Sequence, residues 1–226
     1  MIRKLNYNNR ILTPDERVEY CNVSDNYIND FSEYIDGLYQ LAKDSSLSNN
    51  SASSQINNTI IKTSFFIQYS FCDCIVLNKL FVRATNPYEK SMLRGKLKVL
   101  LNESFKKLYG FNKKGYKDSY CAQVEGIIPM FPHLKSEFDE LLSDLTQISK
   151  DSWWKDERNA EVHIDAFKLY ELRHEEINES KVVMETSQLI DCFNRFSSLM
   201  RNLSKASLDY TVSVLKKRGV LHINEC

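Results

Sequence analysis

Residues that interrupt regular structure are scarce in this chain. Six glycines and four prolines are spread over 226 residues, and no long run alternates β-branched with polar residues. Because glycine and proline are the strongest local breakers of helices, a chain with so few of them contains few turns and long helices. We therefore predict an all-α fold, an up-and-down bundle of about five to six helices with a long C-terminal helix.

Apolar residues recur at three- and four-residue spacing along most of the chain, as they do in helices with one buried face. Capping residues and the few breakers suggest where these helices begin and end. Six helices are predicted. The first starts after Ser24 or Asp25, the second spans about 55–83, and the third runs from Pro87 to about Tyr109 with Gly110 as its cap. The fourth spans about 134–149, the fifth contains the region up to about Ile177, and the sixth starts after Asn178 or Ser180.

The first quarter of the chain differs in composition from the rest. We predict that residues 1–54 form an N-terminal extension, with one helix and a flexible Ser/Asn-rich loop at 45–54, and that residues 55–226 form the helical bundle. The apolar helix at 55–83 is predicted to be the central one. It contains Asp73, a carboxylate that either lines an active cleft or reaches solvent or a partner from the helix face.

The charges exclude one class of nucleic-acid-binding protein. Thirty basic residues balance thirty acidic ones, so any contact with RNA must come from a local patch and not from bulk attraction. One such patch is the run of Lys113, Lys114 and Lys117, which either contacts phosphates or is a solvated loop. There is no apolar run near eighteen residues and no signal peptide, so we expect a cytoplasmic protein without a membrane partner.

Neither a metal nor another cofactor is predicted. The six cysteines lack the spacing of zinc ligands and are expected to be reduced structural thiols. The histidines outside the motif described next, His133, His174 and His222, also lack ligand spacing with carboxylates or cysteines.

One short motif carries chemistry: Arg158-Asn159-Ala160-Glu161-Val162-His163. Imidazole can take or give a proton near neutral pH, and guanidinium stays charged and binds two phosphate oxygens at once. On a helix Asn159 and His163 share a face. Arg158 converges with His163 only if it lies in the frayed first turn, with Asp156 as a reasonable N-cap, or if its long side chain reaches around the helix. The alternative is that Arg158 pairs with Glu161 or Glu157 and His163 is an ordinary surface residue.

The motif resembles the signature of the HEPN superfamily, helical proteins whose members include metal-independent endoribonucleases of toxin-antitoxin, abortive-infection and CRISPR systems. The resemblance implies that Arg158, Asn159 and His163 are catalytic. His163 would act as general acid or base, Arg158 would stabilise the phosphorane, and Asn159 would orient His163 or bind a phosphate oxygen. Family toxins modified by a nucleotidyltransferase often carry Tyr two places after the His, where this chain has Asp165.

The resemblance also implies a homodimer. One motif histidine per chain is too few for a reaction that needs an acid and a base, and a two-fold dimer brings two motifs to one cleft. The expected substrate is RNA, the products are a 2′,3′-cyclic phosphate and a 5′-hydroxyl, and an antitoxin or other regulatory protein is a possible partner. Adjacent Trp153 and Trp154 either stack a base or anchor a loop or interface. The alternative function is a catalytically silent helical module that binds a partner protein or nucleotide.

Overall fold

The fold is all-α, with a long C-terminal helix, which confirms the predicted class. The computed structural model describes residues 11–45, 52–150, 155–163 and 165–217, and no strand occurs within these ranges. The α-helices are α1 (Pro14–Ser45), α2 (Ala52–Arg83), α3 (Pro87–Leu108), α4 (Lys113–Lys117), α5 (Tyr120–Glu125), α6 (Lys135–Lys150), α7 (Lys155–His163), α8 (Ala166–His174) and α9 (Glu179–Lys217).

Helix α2 lies at the centre of the bundle, as predicted, and packs against α1, α3 and α9. Its inner face joins that of α9 in one apolar core in which large aromatic side chains are fully enclosed. Burial of side chains of this size is the main driving force for folding. The largest of these buried side chains are Phe71, Phe81, Phe105, Phe138, Phe193 and Phe196.

One segment of α2 has the length and composition of a membrane-spanning helix. Residues Gln55–Arg83 pass that test by mean hydropathy, although half of the most apolar window is buried inside the bundle. Polar residues such as Gln68 and Asn78, both buried, interrupt the segment, and therefore the sequence contains no unbroken apolar run. The core helix of a soluble protein has the same composition, so the segment is weak evidence for a membrane span.

Helix α1 begins eleven or twelve residues earlier than predicted, at Pro14 instead of after Ser24 or Asp25. The reason is a capping box. The backbone N–H of Thr13 donates to Glu16 Oε2 at 2.7 Å, and the N–H of Glu16 donates to Thr13 Oγ1 at 3.3 Å. Leu12 and Tyr20 belong to the common core. The division of the chain at residue 54 stays a prediction, but the described part of α1 packs along α2.

A buried ion-pair cluster joins the beginnings of α1, α3 and α9. The Glu179 carboxylate accepts hydrogen bonds from Arg17, from Lys90 and, at 3.1 Å, from the backbone N–H of Leu12. Arg17 also donates to the carbonyl oxygen of Val82 at the end of α2. Glu179 is 5% exposed, and a buried carboxylate is tolerated when each oxygen has cationic partners, as here.

The connection from α3 to α6 contains two short helices. Helices α4 and α5 are followed by two 3₁₀ turns, Ile128–Met130 and Pro132–Leu134. The predicted cap of α3 is confirmed in position, since Gly110 has a φ of 77°, which favours glycine.

The prediction of one continuous helix from the motif to Ile177 is wrong. Helix α7 ends at His163, and α8 begins at Ala166 and ends at His174. Asp165 accounts for the new start because its side chain accepts a hydrogen bond from the N–H of Lys168 at 3.1 Å, a typical N-cap contact. Asp156 was predicted to cap the motif helix, but α7 begins at Lys155, so Asp156 lies inside its first turn.

Candidate active site

Arg158 lies against α3 and bonds to a glutamate of that helix. Its Nε and Nη2 atoms donate to Glu103 Oε1 at 3.2 and 2.6 Å, and Nη1 donates to Asn159 Oδ1 at 3.0 Å. This partner was not considered from the sequence, which offered Glu161 or Glu157. Glu161 binds other cations, as described below, and the side chain of Glu157 lies outside the described part of the structure.

The Nε–Nη2 edge of the guanidinium group faces Glu103, and Nη1, which is not part of that edge, faces Asn159. Arginine has five N–H donors, of which two bond to Glu103 and one to Asn159. Two N–H groups are left, one on Nη1 and one on Nη2. Because two neighbouring donors of this kind match two oxygens of a phosphate, Arg158 can hold Glu103 and a phosphate at the same time.

Glu103 is ionised next to the motif. Partial burial of its side chain acts to raise its pKa, but hydrogen bonds from Arg158 and Asn102 and the charges of Arg158 and Lys106 outweigh that effect, so the pKa of Glu103 is lowered. Its negative charge fixes Arg158 in place and also opposes the approach of a phosphate.

Asn159 and His163 lie on the surface. Both side chains are exposed, and they are one helical turn apart on α7, with His163 as its last residue. The amide oxygen of Asn159 faces Arg158 and not His163. Within one chain, the structure therefore places Arg158 and Asn159 together and leaves the imidazole of His163 accessible.

Helix α7 is attached to α3 by a small contact around Ala160 and Glu161. Ala160 is buried, and the side chain of Glu161 is only 4% exposed while it pairs with Arg173 at 2.6 Å and Lys96 at 3.5 Å. Gly95 of α3 makes room for this carboxylate, because a Cβ atom at that position would lie 2.1 Å from Glu161 Oε1. Glycine is thus required at residue 95 for Glu161 to lie in this position.

Helix α8 is attached to the same helix through its backbone. The carbonyl oxygen of Leu172 accepts hydrogen bonds from Ser91 Oγ at 3.1 Å and from Arg94 Nη2 at 2.8 Å. Arg173 returns a bond to the carbonyl oxygen of Ser91 at 3.0 Å. Leu172 is the buried apolar side chain of α8. Arg173 therefore bonds to both α7 and α3, since it also binds Glu161.

The outer side of α7 and α8 exposes apolar side chains beside His163. Phe167 is 88% exposed, more than any other large apolar side chain in the described residues, and Tyr170 and Val162 are exposed as well. We call the aliphatic Val162 and the two aromatic residues Phe167 and Tyr170 together the aromatic stripe. Phe167 and Tyr170 are three residues apart and so lie on one face of α8. Exposed apolar groups that cluster in this way are typical of interaction surfaces.

The other predicted candidates lie elsewhere. Asp73 is on α2, which packs mainly against α1, α9 and α3, whereas α7 packs on α3 and α8; burial raises the pKa of Asp73. Trp153 and Trp154 lie outside the described residues. Lys113, Lys114 and Lys117 are exposed on α4.

The cysteines and histidines of the described residues form no cluster that could hold a metal. No group of three or more His, Cys, Asp or Glu side chains within the described ranges has a suitable arrangement. The cysteines in these ranges are free. Burial raises the pKa of Cys72 to about 11 and that of Cys192 to about 12, so both are protonated thiols at neutral pH.

Glu103 is a residue of the site that the sequence does not reveal. It is separated from Arg158 by 55 positions and lies among charged residues of α3 that look alike in the sequence. The contact depends on the way α7 packs across α3, which local patterns do not encode. Comparison of the chain with protein-family models, curated proteins and solved structures gives no match, so the resemblance to the HEPN superfamily stays a prediction that rests on the motif.

Proposed function

We propose that this protein is a metal-independent endoribonuclease of a defence or toxin-antitoxin type system, acting as a homodimer with Arg158, Asn159 and His163 at the interface. The observation that carries the proposal is the exposure of His163 at the end of α7, on the same short helix as Arg158 and Asn159, with the exposed Phe167 four positions further along the chain.

Each motif residue has a role in this proposal. His163 takes the proton of the ribose 2′-hydroxyl or gives one to the leaving 5′-oxygen. Arg158 stabilises the negative charge of the phosphorane with its two remaining N–H groups. Asn159 holds the guanidinium in position through its amide oxygen, and its amide NH₂ group is available to a phosphate oxygen.

The aromatic stripe supports a dimer through this surface. An acid and a base are both needed, and the motif supplies one histidine per chain. A two-fold axis near α7 and α8 would bury Phe167 and Tyr170 against their copies and bring both His163 side chains to one cleft. The stripe lies directly next to His163 in the chain, so burial of the stripe and pairing of the motifs occur in the same interface.

The test is RNA cleavage by the purified protein in excess EDTA. We expect cleavage to persist and the products to end in a 2′,3′-cyclic phosphate and a 5′-hydroxyl. His163→Ala should abolish cleavage without a change in helical circular dichroism, because an exposed side chain contributes little packing. His133→Ala is the matched control, since His133 is also exposed and is far from the motif in the sequence; it should cleave like the unmodified protein.

Two results would contradict the proposal. Products that end in a 3′-hydroxyl and a 5′-phosphate, together with loss of activity in EDTA, would indicate metal-dependent hydrolysis. Cleavage that survives His163→Ala would assign the activity to another site or to a contaminant.

A catalytically silent helical module that binds a partner protein or nucleotide is the second candidate. The ion pair between Arg158 and Glu103 favours it, because a guanidinium already bonded to a carboxylate binds a phosphate less strongly. In that case no RNA would be cleaved, while the aromatic stripe would still bind a protein.

A further inference from the structure

A cavity of about 530 Å³ lies between the C-terminal ends of α3 and α6, where α4 folds back over them. Two glycines allow this arrangement. A Cβ atom on Gly110 would lie 2.5 Å from the backbone carbon of Gly115, so the loop after α3 and the helix α4 touch backbone to backbone. The Asn112 side chain accepts a hydrogen bond from the N–H of Gly115 at 2.8 Å and fixes the turn.

Aromatic side chains form the walls of this cavity. Tyr109, Phe111 and Tyr116 line it, and the rings of Tyr109 and Tyr116 meet edge to face with centroids 5.5 Å apart. Hydrogen bonds fix both tyrosines: the hydroxyl groups of Tyr109 and Thr146 are 2.8 Å apart, and Tyr116 donates to Glu125 at 2.9 Å. Fixed rings of this kind offer a flat apolar ligand a surface that loses little entropy on binding.

Three lysines surround the opening. Lys113 and Lys117 come from α4 and Lys150 from the last turn of α6, and all three are exposed. Within the part of the chain that the structure describes, none of them is in an ion pair with a carboxylate. Because the whole chain has a formal net charge of zero, three such cations around one cavity make a local positive field that attracts anions.

We propose that this cavity binds a nucleotide, with the base against the aromatic walls and the phosphate on the lysines. The combination of a flat apolar lining and a cationic rim matches a ligand that is aromatic at one end and anionic at the other. An acidic peptide would satisfy the lysines but would leave the aromatic walls without a ligand group. Binding here needs none of the cleavage chemistry, so the inference goes beyond the proposed function.

The nucleotide comes either free from solution or as one unit of a single-stranded RNA. The second source fits the position of the cavity. Tyr109 follows Glu103 by six residues, which corresponds to about 9 Å along a helix, and Glu103 contacts Arg158. Six positions also turn the helix by about 240°, so a strand of RNA bound at Arg158 would have to pass around α3 to place a neighbouring nucleotide in the cavity, which would then be a subsite of the proposed ribonuclease.

The experiment measures binding of two probes to the full chain. One is ADP, followed by calorimetry, and the other is a labelled six-nucleotide 2′-O-methyl oligoadenylate, followed by fluorescence anisotropy. The methyl group prevents attack by the 2′-oxygen, so binding is measured even if the proposed cleavage is wrong. We expect at least one probe to bind, with about tenfold or greater weakening in Lys113→Glu/Lys117→Glu and in Lys150→Glu.

The matched control is Lys62→Glu/Lys205→Glu, in which two exposed lysines of α2 and α9 are reversed; it should bind both probes like the unmodified protein. If the lysine variants weaken the binding of ADP only, the cavity binds a free nucleotide. If they weaken the binding of the oligoadenylate only, the cavity binds RNA. Three results would overturn the inference: no binding of either probe at millimolar concentration, equal weakening in the control, or equally tight binding of an oligoglutamate peptide.

Discussion

At the scale of single residues, the side chain with the most contacts at the motif is Arg158. The Nε–Nη2 edge of its guanidinium group bonds to Glu103 and Nη1 bonds to Asn159, and within the described residues the second N–H groups of Nη1 and Nη2 have no acceptor. An arginine side chain that hydrogen bonds already hold in place loses little rotamer entropy when it binds a phosphate through its remaining N–H groups. The carboxylate of Glu103 therefore acts as a positioning group, provided that the gain in order exceeds its repulsion of the phosphate.

Arg158→Lys should lower kcat for RNA cleavage by about a hundredfold. Lysine keeps the positive charge, but a single ammonium group cannot bond to Glu103 and present two parallel donors to a phosphate. The measurement is single-turnover cleavage of a defined RNA at saturating enzyme. Full activity in this variant would show that the positive charge alone is sufficient and that the paired N–H donors of the guanidinium group have no role.

The residues of this site differ in how far the sequence predicts them. Arg158, Asn159 and His163 stand out because they form a recognisable pattern over six positions. Glu103 does not, because its role depends on a contact between helices that are distant in the chain. The same holds for Gly95, whose importance comes from the buried carboxylate of Glu161 lying against it.

At the scale of helices, α7 and α8 differ from the rest of the bundle in how they are held. Among their residues whose side chains the structure describes, the buried apolar ones are Ala160 and Leu172. The remaining attachment to α3 consists of the ion pairs Arg158–Glu103 and Glu161–Lys96 and of the hydrogen bonds to the carbonyl oxygens of Leu172 and Ser91. The pair between Glu161 and Arg173 joins α7 to α8. By contrast, α2 and α9 meet through large apolar side chains.

Gly95→Ala should destabilise the protein by about 1–2 kcal/mol, although alanine is the better helix former by about 1 kcal/mol. The new methyl group would displace the Glu161 carboxylate and leave Arg173 without its partner. Gly37→Ala is the control, because Gly37 is also inside a helix and nothing lies within 4 Å of its added Cβ; it should stabilise by up to about 1 kcal/mol. Urea denaturation measures both. Equal stabilisation in the two variants would contradict the role given to Gly95.

The sequence predicts the long helices well because their apolar spacing extends over many turns. It fails at two boundaries where side-chain capping decides. The start of α1 depends on Thr13 and Glu16, a T-x-x-E pattern that is visible in the sequence but lies in a polar segment. The break between α7 and α8 depends on Asp165, which caps a second helix instead of continuing the first.

At the scale of the whole molecule, we predict a symmetric dimer through the aromatic stripe. Phe167→Asp should weaken the dimer by at least about thirtyfold, because it would place a charge in the buried part of the interface. Light scattering across a concentration series measures the change. Leu208→Asp is the control: Leu208 is 63% exposed, but it lies on α9. A monomeric unmodified protein, or equal weakening in both variants, would contradict the interface.

The Glu179 cluster should make the protein sensitive to acid. Burial acts to raise the pKa of Glu179, but hydrogen bonds from Arg17, Lys90 and the Leu12 backbone lower it below its ordinary value of 4.5. The unfolded chain therefore binds this proton more readily, so the stabilisation is complete above about pH 4.5 and is lost as the pH falls through the lower folded pKa.

Glu179→Gln should accordingly reduce the free energy of unfolding by about 3 kcal/mol at neutral pH, because it leaves two cations without their carboxylate. It should also flatten the dependence of stability on pH in the acid range. Urea denaturation between neutral and acid pH measures both effects. Asp209→Asn, which removes an exposed carboxylate of α9, is the control. A pH dependence equal to that of the unmodified protein would assign the acid sensitivity to other groups.

The polar attachment of α7 and α8 has a consequence for temperature and denaturant. Among the residues whose side chains the structure describes, this segment is held by the ion pairs of Arg158 and Glu161, a few hydrogen bonds and two buried apolar side chains. A segment held in this way opens at a lower free energy than the global unfolding of an aromatic core. Arg158 and His163 therefore keep their positions only in molecules in which α7 and α8 are packed on α3, and the fraction of such molecules falls before the bundle melts. We therefore expect the proposed cleavage to be lost at a lower temperature than the one at which the bundle melts.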